Sequence, residues 1–533
     1  MPYTIALTAT GLYRVTTAGA ATALTLPYET SIMSGRKPRM AVLDRNVIIT
    51  NALSRSILID PDFNVYPLQL QPPTSAPVLT NATGSGLSGT YRAKYTYLIK
   101  DANGKVICES DFSPISAAFT VSDDLLKVTV SKPFDTSVTH IRIYRTTTSG
   151  STYFPWIDID GRDTATASSA LSDASLQLVA APTTLGTAPG CMPGTFMTEC
   201  VAWKNRLWGV GGDATSVDKL RHTDVNKAYG WKSTFEHIIQ PVGWDAQGIT
   251  ALIPRRDELG VFKRHFMSKI IGDTAANFEP IIVRNGKGCF APLSAIVVDD
   301  IAYFLGEDGV YTWGPNGFDC ISNGRVRKWF NTSTYFNRAQ FPNAFAKYNQ
   351  KYHGYELHLA AAGSSNIDRW VFYDIERKKW WGPHLTTAFT PTCGLGQFID
   401  SNSLTVPIVG GSDGVIYQTN QTTFNDDGEA ISISAESAKH GHDTPDIHKL
   451  FHGPSFIFTE QAGAGNLSVA CAVGDRDAAT TRTLTIDQRN GDRQRFSPLG
   501  AGRTLKFTFT ESTLNQGCEI QGYEINSHEL GRR

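Results

Sequence analysis

Residues 288–313 read GCFAPLSAIVVDDIAYFLGEDGVYTW. Residues 294–298 are an apolar, β-branched run that Asp299-Asp300 turns, and 301–305 are a second run. Gly306-Glu307-Asp308-Gly309 turns that one, and 310–313 are a third. Short runs of Val, Ile, Tyr and Phe separated by Asp/Gly turns predict an antiparallel meander. The Asp308-Gly309 pair is expected to supply the positive-φ positions of a two-residue turn. Three or four such strands make one propeller blade.

The pattern recurs on both sides. Residues 40–50 (MAVLDRNVIIT) and 56–66 (SILIDPDFNVY) have it near the start, and 200–212 (CVAWKNRLWGVGG) turn at Lys204-Asn205. It returns at 249–272, at 345–361, at 369–381 (RWVFYDIERKKWW) and at 406–418 (VPIVGGSDGVIYQ). A spacing of about 45–60 residues lies in the propeller range and predicts five or six blades.

Two stretches break the series. Residues 71–90 are rich in Pro, Gly, Ser and Thr and read as a linker. Beyond them, short strands such as YRAKYTYLIK (91–100) and THIRIYR (139–145) suit a small β-sandwich, similar in order to fibronectin type III domains. After a polar break at 421–428, strand candidates at 431–437, 450–458, 465–474, 481–487, 503–510 and 518–526 form a last group. The expected fold is all-β: a β-propeller with an inserted fibronectin III-like β-sandwich and a C-terminal β-sandwich. Residues 1–70 would be the first propeller strands, 71–189 the insert, 190–425 the remaining blades and 426–533 the C-terminal sandwich.

With 533 residues, two or three domains are expected. A formal net charge of -1 gives no global pull toward nucleic acid or an anionic membrane. No run approaches the roughly 18 apolar residues of a membrane-crossing helix. The N-terminus lacks a basic region followed by an apolar one, so no signal peptide is expected. The eight cysteines show no C-x-x-C spacing and read as free thiols of a reducing cytoplasm.

The motifs point away from covalent chemistry. Gly84-Ser85-Gly86-Leu87-Ser88-Gly89 satisfies G-x-G-x-x-G, but no helix follows to receive a phosphate, so it reads as linker. No cofactor is expected. His440, His442 and His448 are the one clustered set of metal-capable side chains; a solvated or interface loop is the plainer reading. The 306–313 turn resembles the Asp-box of sialidase propellers but lacks its serine and second glycine. Basic residues interleave with aromatics at Arg255, Arg256, Lys263 and Arg264, and again at Arg325, Arg327 and Lys328 beside Trp329. Arg377 and Lys378 stand beside Trp380 and Trp381. Solvated turns are the bland reading; repeated around a ring, such cations would make a charged collar facing phosphates.

The succession LGVFKRHFMSKIIGD (259–273) then NGKGCFAPLSAIVVDDIAYFLGEDGVYTW (285–313) resembles the central region of tail hub, or nozzle, proteins of short-tailed bacteriophages, the tubular tail protein B type. The matching residues are Val261-Phe262-Lys263, Gly272-Asp273, Gly288-Cys289, Ala291-Pro292 and Asp308-Gly309-Val310-Tyr311. The ending EIQGYEI (519–525) and LGRR (530–533) also resembles that family, so the likeness spans about residues 190–533. The histidines of 440–452 depart from it. The resemblance implies a homohexameric virion ring, made in the bacterial host cytoplasm and seated below portal and adaptor. It implies tail fibre or needle proteins as neighbours and transient, non-specific contact with DNA, without a membrane partner. It makes Arg255, Arg256, Lys263, Arg264, Arg325, Arg327 and Lys328 candidates for the DNA channel, and Trp380, Trp381, Arg377 and Lys378 candidates for interfaces. Two rival readings are a propeller carbohydrate-active enzyme and a carbohydrate- or receptor-binding module that stacks sugars on Trp208, Trp313, Trp380 or Trp381.

Overall fold

A computed structural model describes residues 4–8, 11–26, 37–51, 55–68, 70–162, 166–177, 197–211, 217–229, 231, 235–240, 248–386, 388–402, 404–419, 425–441, 446–458, 466–474, 479–485, 494–495, 499–513 and 520–531. Antiparallel strands dominate throughout. The chain divides into two units, residues 1–384 with 392–410, and residues 385–391 with 411–533.

The first unit carries the propeller blades. Blade I is Arg39–Leu43, Asn46–Thr50, Ile57–Ile59 and Val65–Pro67. Blade II is Met197–Trp203, Arg206–Gly211, Lys219–His222 and Glu236–Ile238. Blade III is Ala251–Pro254, Leu259–Phe262, Phe266–Ile271 and Glu279–Asn285. Blade IV is Ala291–Val298, Ile301–Leu305, Val310–Gly314 and Gly317–Cys320, and blade V is Phe345–Asn349, Gly354–Ala360, Ile367–Asp374 and Lys379–Leu385. A sixth begins with Pro391–Ile399 and Thr405–Gly411. From I to V, the first strand of each blade lies beside the first strand of the next. Second strands in II, III and V are buried at every position, because neighbouring blades cover both faces. Fourth strands in III and V are mostly exposed. That gradient explains why continuous apolar runs were the readable signal.

The tight turns are only partly where the sequence put them. Asp44-Arg45, Lys204-Asn205 and Asp299-Asp300 all have φ between 47° and 62°, the two left-handed positions that a type I′ hairpin requires. They join the first two strands of blades I, II and IV. Gly309 does not take the left-handed conformation expected of it; a Cβ there would lie 2.4 Å from the Ser322 hydroxyl, so the glycine supplies room.

Residues 1–70 hold two sheets, blade I and one before it. Thr4–Leu7, Leu12–Val15 and Ala21–Leu24 form a separate three-stranded sheet. Its Ile5, Leu7 and Leu12 pack against Ile49 and Ile57 of blade I. The insert is a sandwich of a four-stranded and a three-stranded sheet over residues 78–169, followed by the short helix Asp173–Gln177. The expected linker is overturned from Val78 onward, since Val78–Tyr91 is one long strand paired with Phe119–Thr129. Its glycines serve packing: a Cβ on Gly84 would meet the Leu125 side chain at 2.4 Å. Gly86 and Gly89 have φ near +130°, close to where the ladder shifts register.

In the second unit, Ile433–Glu436, Leu505–Glu511, Asn466–Val473 and Thr480–Thr485 form one sheet, and two three-stranded sheets accompany it. Phe451, Phe456, Leu467, Val469, Leu505 and Phe507 form its core. Cys108, Cys200, Cys289, Cys320, Cys393 and Cys471 are free thiols; Cys191 and Cys518 lie outside the described residues. Among the described residues no helix is long and apolar enough to cross a membrane.

Blade II contains an acid-sensitive core. His222 is fully buried among Trp208, Phe235, His237 and Phe278, and its Nδ1–H donates to the Thr223 carbonyl at 3.0 Å. Burial lowers its pKa to about 4 despite that bond. The unfolded chain therefore binds a proton between about pH 6.5 and 4 that the folded chain refuses, and stability falls with pH across that window by about 3 kcal/mol. Thermal unfolding of His222→Phe, measured at pH 7 and pH 4.5, is expected to lose less stability on acidification than wild type. Equal losses would exclude His222 as the cause.

Candidate functional site

Several buried polar side chains of the first unit lie at the seams between blades. Arg39 of blade I pairs with Glu199 of blade II at 2.7 Å. Trp203 of blade II donates its indole N–H to the Arg255 carbonyl at 2.9 Å. Arg255, at the first turn of blade III, donates to the Asp300 carbonyl and carboxylate at 2.8 and 2.9 Å, pairs with Glu258 and stacks over Trp313 at 4.6 Å. Tyr355 of blade V donates to the Ser294 carbonyl of blade IV at 2.9 Å. Lys37, just before blade I, donates to the carbonyls of Asn343 and Thr392. Burial lowers its pKa to about 8. Each seam from blade I to blade V thus has at least one polar clamp whose partner the fold supplies, as buried polar groups require.

The seam between blades III and IV is the most elaborate. Lys263 also ties blade III back to blade II: its ammonium is fully buried and reaches Asp218, just before the third strand of blade II, at 2.5 Å. The Lys263 carbonyl accepts from Cys289 N–H at 3.0 Å, and Thr250 donates its hydroxyl to the Cys289 carbonyl at 2.8 Å. Ser294 donates to the Ala291 carbonyl at 2.6 Å while accepting from Leu305 N–H. Tyr311 donates to Asp308 at 2.6 Å, and Lys287 pairs with the same carboxylate at 2.7 Å. Burial opposes ionisation of Asp308, but these two partners outweigh it and keep the carboxyl below its usual range.

This geometry corrects part of the channel assignment. Arg255 and Lys263 are buried ion-pair members of one chain, so they are not the open cations that a DNA-facing collar needs. Arg264 is partly covered, lying over Phe290 at 4.2 Å and near Glu307 at 3.4 Å. Arg256, Arg327 and Lys328 are exposed; of Arg325 only the backbone, in the turn Gly324–Val326, is described. Among the interface candidates, Trp380 is committed within the chain. Its indole donates to the Ile321 carbonyl at 2.9 Å and packs on Phe330 and Tyr373. Trp381 is half exposed, Arg377 pairs with Asp374, and Lys378 is an exposed turn residue at φ 53°.

His440 and Tyr523 approach at 3.2 Å, while His448 lies in the strand His448–Phe451 opposite Gly531. His442 lies outside the described residues. Among the described residues no three metal-capable side chains come together.

Two cavities flank blades III and IV. One of about 450 Å³ is lined by Arg255, Glu258, Lys269, Asp300 and Trp313. The other, about 170 Å³, is lined by Arg264, His265, Lys287, Glu307, Asp308 and Arg338. Lys287, Glu307 and Arg338 were not singled out as site residues, since they sit far apart in sequence within ordinary turns.

No family model and no curated protein matches the chain. Among solved structures, the N-terminal domain of Nup159 aligns at 10% identity and TM-score 0.26 over 65% of this chain and 97% of that one. The extracellular domain of a putative hybrid two-component system, BT3049 from B. thetaiotaomicron, aligns at 8% identity and TM-score 0.28 over 97% of this chain and 71% of that one. An exo-β-1,3-galactanase from Phanerochaete chrysosporium aligns at 6% identity and TM-score 0.21 over 98% and 100%. Likenesses this slight carry no argument about function.

Proposed function

We propose that this chain is a virion structural protein that assembles, about six copies to a ring, as the tail nozzle or hub of a short-tailed bacteriophage. In this reading the ring conducts DNA during ejection and anchors adaptor or portal proteins on one side and fibre or needle proteins on the other. The observation that carries it is the ordered succession Val261-Phe262-Lys263, Gly272-Asp273, Gly288-Cys289, Ala291-Pro292 and Asp308-Gly309-Val310-Tyr311. Several of these residues hold the seam between blades III and IV, so the succession follows the construction of a scaffold. Function would then be geometric: rigid blades, a closed ring and a wall along which DNA slides. Neutral overall charge suits sliding, because a strongly basic wall would retain the polyanion.

The test is the mass of the purified full chain by light scattering, with negative-stain images. A ring of about 350 kDa with a central hole is expected, six times the 58.2 kDa chain. A monomer that releases sugar from, or saturably binds, a bacterial surface polysaccharide would replace the nozzle with the enzyme or binding-module reading.

A further inference from the structure

Four turns meet at the smaller cavity. Arg264-His265 joins the second and third strands of blade III, and Gly286-Lys287-Gly288 leads from blade III into blade IV. Glu307-Asp308 joins the second and third strands of blade IV, and Arg338 opens the 3₁₀ turn Arg338–Asn343. Together they enclose about 170 Å³.

The charges there do not cancel. Arg264, Lys287 and Arg338 bring three basic side chains to the cavity, against the two carboxylates of Glu307 and Asp308. Asp308 is taken up by Lys287 at 2.7 Å and the Tyr311 hydroxyl at 2.6 Å. Glu307 is shared between Arg264 and His265, each at a loose 3.4 Å. Arg338 donates at 3.0 Å to the Glu307 carbonyl and pairs with no carboxylate among the described residues. The Nε–H groups of Arg338 and Arg264 are buried and make no hydrogen bond. Arg338 thus lines the cleft as a guanidinium with one Nη group bonded to the Glu307 carbonyl and no counter-charge among the described residues, which leaves donor capacity unused.

We propose that this cavity binds a phosphoryl oxyanion, free or carried on a nucleic acid, with Arg338 as its principal contact and Arg264 and Lys287 as its flanks. Cationic donors from three separate turns suit an anion with three or more acceptor oxygens better than a planar carboxylate. Guanidinium forks are the side chains best matched to it. The site belongs to a single chain and does not depend on ring formation.

The test is isothermal titration calorimetry of the full chain with sodium phosphate, against sodium chloride at matched ionic strength. Thermal shifts alone would mislead, because phosphate stabilises folded proteins without a site. A saturable phosphate isotherm is expected, weakened by roughly tenfold or more in Arg338→Gln, the loss of one charge-assisted contact. Lys287→Gln, on a more exposed side chain, should weaken it as well and serves if Arg338→Gln does not fold. A short single-stranded DNA oligonucleotide, followed by fluorescence anisotropy with phosphate as competitor, separates the two sources. Binding that phosphate displaces and Arg338→Gln removes assigns the group to nucleic acid; a phosphate isotherm without oligonucleotide binding assigns it to the free anion. A linear wild-type isotherm, or one that folded variants leave unchanged, overturns the site.

Discussion

Replacing Gly288 by alanine is expected to cost more than about 3 kcal/mol and to deplete soluble full-length protein. A Cβ at this position would stand 2.1 Å from the Lys263 carbonyl oxygen and 2.8 Å from both the nitrogen and oxygen of Phe266. All three are backbone atoms of blade III, and none can rotate away. The Lys263 carbonyl also accepts the Cys289 N–H at 3.0 Å, so a shift that relieved the clash would break a bond of the same seam. Gly286, two residues earlier, is the control. It has φ +79° with no atom within 4 Å of a Cβ, so alanine there costs only the left-handed backbone, roughly 1–2 kcal/mol. Thermal unfolding followed by circular dichroism should rank wild type above Gly286→Ala and Gly286→Ala well above Gly288→Ala. A Gly288→Ala protein that melts with wild type would show that the blades pack less rigidly than these distances require.

The contrast between these two glycines also marks how far the sequence is readable. Strand runs and turn pairs are local, and Lys204-Asn205 and Asp299-Asp300 could be placed as hairpins from the residues alone. The insert and the C-terminal sandwich followed from breaks in that rhythm. What a glycine is for is not local. Gly84 looked like linker because its neighbours are Ser, Thr and Gly, yet it lies in a strand and leaves room for Leu125, which is distant in sequence. The basic turns were misleading for the same reason. Arg255 and Lys263 sit in charged, turn-like sequence, and only the adjoining blades provide Asp300 and Asp218 as partners. Likewise, the Arg338 contribution to the smaller cavity depends on a turn 31 residues beyond Glu307, which no motif links to it.

Glu356→Gln is the second substitution expected to act strongly, at about 3–5 kcal/mol. Lys347 and Glu356 stand opposite each other on Phe345–Asn349 and Gly354–Ala360 of blade V, and such charged side chains ordinarily stay in water. Blades on both sides bury them instead, with side-chain exposures of 0% and 5%. Glu356 accepts from Lys347 at 3.0 Å, from His358 Nε2–H at 2.9 Å and from Asn349 at 3.2 Å. Burial alone would push the Glu356 carboxyl up, but Lys347 and His358 outweigh it and bring the pKa to about 2. His358, buried against Phe345, moves down because burial outweighs the attraction of Glu356, so the group holds one ammonium, one carboxylate and a neutral imidazole. The sign of the pH dependence follows. The folded carboxyl titrates below the unfolded one, so its contribution is complete above about pH 4.5 and is lost as pH falls toward 2, by about 3 kcal/mol. Glu356→Gln removes the charge at every pH and should flatten that part of the acid profile. Replacing both partners, as Lys347→Met with Glu356→Leu, should recover part of the loss, because two buried charges are exchanged for apolar contact. If the single and double variants melt together, the ion pair is not what makes Glu356 costly to lose, and the steric fit of blade V is.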